Sequence, residues 1–152
     1  MANVRAERYS ADVPLRWSDM DAYGHVNNVQ FLRLLEDARV IGFQEWFGDE
    51  RSVLDQGVVV ARHEIEYLAP LKFRHAPIAV DMWATRIGGA SFDLAYEVRD
   101  PAGVGEALYA RAETTLVLYS FADGKPRRLA EAEKATLQRH EGEPVPFRWR
   151  RR

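Results

Sequence analysis

The chain has 152 residues, 47% of them apolar and 29% charged, with a formal net charge of −2. That balance is a globular one and excludes a disordered chain, while the near-neutral charge lacks the basic surplus of a nucleic-acid module. With no cysteine, disulfide scaffolds, thiolate nucleophiles and cysteine–zinc sites are excluded as well.

The N-terminus, "MANVRAERYSADV", has no apolar leader region, and no apolar run approaches the ~18 residues of a membrane span. The expectation is one domain over 1–152, in the cytoplasm, with its core at about 8–140 and a short basic tail. Neither nucleic acid nor membrane is an expected partner.

In chain order, residues 8–17 read as a first strand, followed by the polar loop "SDMDAYGHVNN". From Val29 to Phe47 the pattern is helical and apolar around most of the circumference, apart from a stripe through Gln30, Arg33, Asp37 and Gln44. That pattern predicts a buried helix, capped by Asn27 or Asn28 and ended at Gly48. After the linker "GDERSVLDQG", strands are expected at 58–68, 78–87, 91–99 and 105–121. The segments "GGAS" and "DPAG" make the turns between the last three. The run "RLAEAEKATLQRH" reads as a short amphipathic helix, and "EGEPVPFRWRRR" as a tail without periodicity that frays into solvent. One strand, one long helix and four consecutive antiparallel strands make an α+β plan. A five-stranded sheet curled around that helix buries most of it, and self-association covers the rest.

Several chemistries are missing. There is no nucleophile-elbow G-x-S-x-G, no phosphate-binding loop and no dinucleotide fingerprint. "HEIEY" at 63–67 lacks the second histidine of a zinc protease, and His25, His75 and His140 are scattered. No metal or cofactor is expected. What remains is "DMDAYGHVNN". Gly24 permits a sharp turn close to a ligand. The first N–H groups of the following helix have no intrahelical partners, so with the helix dipole they suit a developing oxyanion. Asp21 lies near enough to face the same point, and a carboxylate beside an activated carbonyl can attack it or activate a water. The plainer alternative is a turn followed by an N-cap. On the residues alone it stays open for Asp21 as for Asp19, Asn27 and Asn28, and for a hydrogen-bonded structural His25.

The stretch "RWSDMDAYGHVNNVQFLRLLEDAR" resembles the N-terminal signature of hotdog-fold acyl-CoA thioesterases of the 4-hydroxybenzoyl-CoA thioesterase type. The shared features are a D-x-D pair, a nearby glycine and a helix of the form "YLRYLEEAR". "YLAPLKF" and "RIGGASFDLAYEV" resemble later strands of the same family, so the similarity spans roughly 8–121. The resemblance implies a hotdog fold and hydrolysis of an acyl-CoA to a free acid and coenzyme A. It implies Asp21 as nucleophile or general base, a backbone N–H at about Asn28 as oxyanion donor, and Asp19 left structural. It also implies a homodimer or homotetramer whose subunits share the site. "HVNN" looks like the plant acyl-carrier-protein thioesterases, but Tyr23 stands where those have asparagine, which leaves His25 an orienting role. Gly24 and Tyr23 border the substrate. Arg86, ahead of "GGAS", is the first choice for a coenzyme A phosphate, before Lys72, Arg74 and Arg62, with Ser91 a hydrogen-bonder near the thioester. Two other readings are a hotdog hydratase-like lyase, for which "DMDAYGH" lacks the Asn-Pro of D-x-N-P-x-H, and a non-catalytic acyl-CoA-binding protein.

Overall fold

A computed structural model describes residues 8–48 and 57–150; most of the linker after the long helix lies outside them. Five antiparallel strands, β1 (Tyr9–Val13), β2 (Val58–Tyr67), β3 (Ile78–Ile87), β4 (Ser91–Arg99) and β5 (Leu108–Ser120), form a sheet in the order β1-β3-β4-β5-β2. The helix α1 (Gln30–Trp46) lies across its concave face, and α2 (Glu131–Arg139) follows the sheet. This is a hotdog fold. A sixth strand, β6 (Lys125–Pro126), hairpins back onto β5 where a break was expected.

Strand limits follow local chemistry. β1 stops at Val13 rather than at 17 because Pro14 offers no N–H to the ladder. Beyond it Trp17–Asp19 form a single 3₁₀ turn. β5 begins at Leu108, not 105, because the Asp100 carboxylate accepts the Ala107 N–H at 3.1 Å and holds 101–107 as a loop.

α1 packs against β1 and β3. Phe31, Leu34, Leu35, Ala38 and Phe43 enter the core beside Val80, Met82, Phe92, Leu94 and Leu116. Its other flank, toward β2, is open: Val29 and Val40 are exposed. The long helix is therefore covered on one side only, less than its apolar sequence suggested.

β3 and β4 are buried along nearly their whole length. Alternate residues face α1, while the others are covered on the convex side by the C-terminal segment, which was expected to fray. The Trp83 indole donates to the Glu143 carbonyl at 2.7 Å, and Val145 packs on Trp83 and Ala95. The N–H groups of Arg148 and Trp149 donate to the Glu66 carboxylate at 2.8 and 2.6 Å, and Arg150 pairs with Glu64 and Glu113. The acidic groups met by the basic tail are this chain's own.

Candidate active site

The loop after β1 is folded by Asp19. Its carboxylate is fully buried and accepts the Arg16 N–H at 2.7 Å, the Arg16 guanidinium at 3.1 Å and Nη2 of Arg33, from α1, at 2.5 Å. Burial alone would raise this carboxyl, but the hydrogen bonds from Arg16 and Arg33 outweigh it and hold Asp19 below the usual carboxylate range. Asp19 thus ties the loop to the helix, the structural role left to it.

Asp21 points the other way. It is exposed, and its Oδ1 accepts the N–H of Tyr23 at 2.8 Å and of His25 at 3.2 Å. Oδ2 accepts no hydrogen bond among the described residues, so one oxygen is anchored and the other faces open space. The turn closes through Asp21 N–H to the His25 carbonyl at 2.7 Å, with Gly24 at φ +78°, a conformation that favours glycine. His25 pairs through its backbone with Lys72, and its ring makes no hydrogen bond among the described residues. Tyr23 is 85% exposed at the loop tip.

At the helix start the N–H groups are nearly all taken. Asn27 N–H donates to the Asp19 carbonyl, Val29 to the Asn27 side chain, Gln30 to the Asn27 carbonyl and Phe31 to the Asn28 carbonyl. The N-cap position is Val29 and no side chain caps the helix there, so neither asparagine is the cap expected; the Asn27 side chain instead accepts the Val29 N–H at 3.1 Å, just ahead of the helix. The Asn28 N–H alone in this run donates to no group among the described residues. Sequence reasoning missed Tyr67, at the end of β2. Its hydroxyl donates to the Asn28 carbonyl at 2.8 Å and its ring meets Phe31 edge-on at 5.2 Å, pinning the helix start. An aromatic closing the strand just before "LAP" was its only signal. Asp21, Asn28, Phe31, Tyr67 and Leu71 line one open cleft of about 550 Å³.

The other basic candidates are placed differently. Arg86 and Ser91 do come together, through Arg86 Nη2 to the Ser91 hydroxyl at 3.0 Å, and Arg86 also grips Asp93 with both Nε and Nη2. They sit at the β3–β4 hairpin. Asp21 follows the β1 end that pairs with Ile78, at the other end of β3. The eight-residue step from Ile78 to Arg86 spans about 26 Å of β3, so the hairpin and the Asp21 loop lie at opposite ends of the strand and one chain does not join them. Arg62 pairs with Glu113 and Glu64, and Arg74 with Asp100. Lys72 is exposed and without an ion pair among the described residues.

A family model described as the thioesterase-like superfamily matches residues 15–140, which include the loop, the helix and every strand but β1. The chain belongs to the thioesterase-like superfamily. As a member it is a thioester hydrolase, with the fold of its solved relatives. A Pseudomonas aeruginosa protein described as a putative thioesterase is 31% identical over 83% of this chain and 95% of its own, with a TM-score of 0.71. A Thermus thermophilus thioesterase, solved with coenzyme A and zinc, is 29% identical over 90% and 96%, also with a TM-score of 0.71. A predicted thioesterase from Bacillus stearothermophilus, at 23% identity, shares the fold with a TM-score of 0.76 over 90% and 98% of the two chains. No curated protein matches the chain. Among the described residues of this thioesterase, no group of three or more histidines and carboxylates could hold a metal ion, and no helix is long and apolar enough to cross a membrane.

Proposed function

We propose that this thioesterase hydrolyses acyl-CoA to a free carboxylic acid and coenzyme A, with Asp21 as nucleophile or general base and the Asn28 N–H as oxyanion donor. One observation carries the reading: Asp21 and Asn28 line the same cleft, and among the described residues one oxygen of the first and the backbone N–H of the second make no hydrogen bond. The thioester oxygen sits at the Asn28 N–H, which draws electron density from the carbonyl carbon. As general base, Asp21 takes a proton from a water that attacks that carbon, the carbon–sulfur bond breaks, and the departing thiolate takes the proton back from Asp21. As nucleophile, Asp21 attacks the carbon itself and expels the thiolate, and water then hydrolyses the resulting mixed anhydride, freeing the acid and Asp21 and supplying the thiol's proton. A thiolate is a good leaving group, so a carboxylate and one preorganised donor suffice. The coenzyme A bound by the Thermus thermophilus relative supports the choice of carrier. His25 orients the turn through its N–H on Asp21, and Gly24 and Tyr23 border the entrance.

The active form is a homo-oligomer built on a two-fold pairing of β2. Among the described residues no strand pairs with its outer edge over its ten residues, beside the exposed Val40, Val60 and Tyr67. An open edge of that length invites a second copy. Antiparallel pairing sets the start of one β2 against the end of the other. The β3–β4 hairpin of one chain then lies toward the Asp21 end of its partner, where Arg86 and Ser91 reach the nucleotide side of coenzyme A.

Thiol release from a panel of aromatic, short-chain and long-chain acyl-CoAs, with sedimentation at assay concentration, tests both parts. Hydrolysis lost in Asp21→Asn is expected, and an active monomer would overturn the oligomer.

A further inference from the structure

A second cleft, of about 400 Å³, opens on the β2 side of α1 and contains Arg39, Val40, Phe43, Val58, Val60 and Leu116. Its walls are apolar except for Arg39 and Glu36. Arg39 is 8% exposed, yet no carboxylate among the described residues pairs with it. Its polar contact is Nη1 to the Tyr96 hydroxyl at 3.2 Å. Tyr96 is fully buried, and burial pushes its hydroxyl up, so it stays un-ionised and supplies no countercharge. His63, on the same face of the sheet and bonded to Thr114 at 2.8 Å, is pushed down by burial and by the charges of Arg39 and Arg62, so it is neutral too. Glu36 stands exposed at the rim, where water screens it. A guanidinium with five N–H donors is thus held in a largely apolar cleft with no carboxylate paired to it among the described residues. Leaving a buried charge uncompensated is costly, which gives an incoming anion its advantage.

We propose that Arg39 binds a carboxylate at the far end of the acyl group, so that the preferred substrates are monothioesters of dicarboxylic acids. This rests on the thioesterase reading above and on the two-fold pairing of β2, which brings the Arg39 cleft of one chain beside the Asp21 cleft of its partner. The acyl chain runs from the thioester at Asp21 and Asn28 across the subunit boundary, over Val58, Val60 and Leu116, to Arg39.

The test compares succinyl-, adipyl- and suberyl-CoA with butyryl-, hexanoyl- and octanoyl-CoA on the wild-type enzyme. At the best-fitting length the carboxylated substrate should lead its plain counterpart by about tenfold or more in kcat/KM, the effect of one charge-assisted contact in a dry site. In Arg39→Met the ratio should collapse to near one, and in Arg39→Lys, which keeps charge but not the fork, it should fall part-way. Being a ratio, it is independent of how much enzyme folds. A wild-type ratio of one or less, or one unchanged in either variant, overturns the inference while plain acyl-CoA turnover leaves the thioesterase reading standing. If neither series is hydrolysed, the thioesterase reading falls instead. Calorimetric binding of the non-hydrolysable thioethers S-(7-carboxyheptyl)-CoA and S-octyl-CoA then decides the Arg39 site by itself. Tighter binding of the first, lost in Arg39→Met, supports it, and equal binding overturns it.

Discussion

Asp19 and Asp21 leave one loop with a single methionine between them, and they meet opposite environments. Asp19 turns inward, loses all contact with water and is met by two arginines and a backbone N–H. Asp21 turns outward into a cleft, where two backbone N–H groups steady one oxygen and the other is open. A carboxylate whose charge is fully answered has nothing left to offer a substrate. One that is held in place but not neutralised keeps its reactivity. On the function proposed above, the same side chain is a clasp in one position and a reagent in the other, and four experiments test that contrast and the site around it.

The largest effect is expected from Asp21→Asn. The exchange is nearly isosteric and removes the charged oxygen, so kcat should fall by about 10²–10⁴-fold. Circular dichroism and sedimentation should be unchanged, since the amide oxygen of the introduced side chain still accepts from the N–H groups of Tyr23 and His25. A folded variant with wild-type turnover would sink the assignment.

Asp19→Asn should act on stability instead. Losing charge-assisted bonds to Arg16 and Arg33 costs about 1.5–3 kcal/mol, or roughly 5–10 °C in Tm for a chain of this size. Turnover per folded molecule should stay within a few-fold of wild type. Equal losses of kcat in the two variants would mean the catalytic carboxylate was misassigned.

The same contrast is visible in acid. Asp19 is held below its ordinary range in the folded state, so the unfolded chain binds more protons in the window between the two values. Its stabilising contribution is full above the ordinary carboxylate range and is lost as pH falls through the lowered value. Asp93 and Asp100 are shifted the same way: burial would raise each, but Arg86 and Thr115 outweigh it for Asp93, and Tyr109, Arg74 and the Ala107 N–H for Asp100. Melting temperature should therefore drop on acidification below about pH 4, and less steeply in Asp19→Asn. Parallel curves for the two proteins would show that the clasp is not titrating.

Arg86→Ala should have the smallest effect. An exposed contact to phosphate is worth on the order of 1 kcal/mol, so KM for acyl-CoA should rise several-fold with kcat little changed. A truncated thioester lacking the nucleotide should not sense the change. If it does, Arg86 is acting through Asp93 and Ser91 as part of the sheet.

Much of the fold was legible in local pattern. β3 and β4 have the limits expected of them, and α1 differs by one residue at each end, because periodicity and turn residues are short-range signals. The tail was misread for the converse reason. "EGEPVPFRW" has no period, and its order comes from Trp83, Ala95 and Glu66, far away in sequence. Asp21 was singled out only through a family resemblance, since an Asp-Gly-Asn loop before a helix is by composition an ordinary turn. Arg39 carried no local mark, and Tyr67 only that of an aromatic closing a strand. A tyrosine at a strand end and an arginine on a helix look the same whether they meet water or a neighbour.

By itself, then, the sequence determined the element types, the α+β order and the place where polar chemistry gathers, because hydrophobic period and turn chemistry act between near neighbours. Tertiary structure decided which aspartate of the pair is sealed, which helix-start N–H finds no acceptor among the described residues, and which arginines already have their anions. Those outcomes depend on groups dozens of residues apart being brought within hydrogen-bond reach. Only the packing of α1 and the loop against the sheet does that.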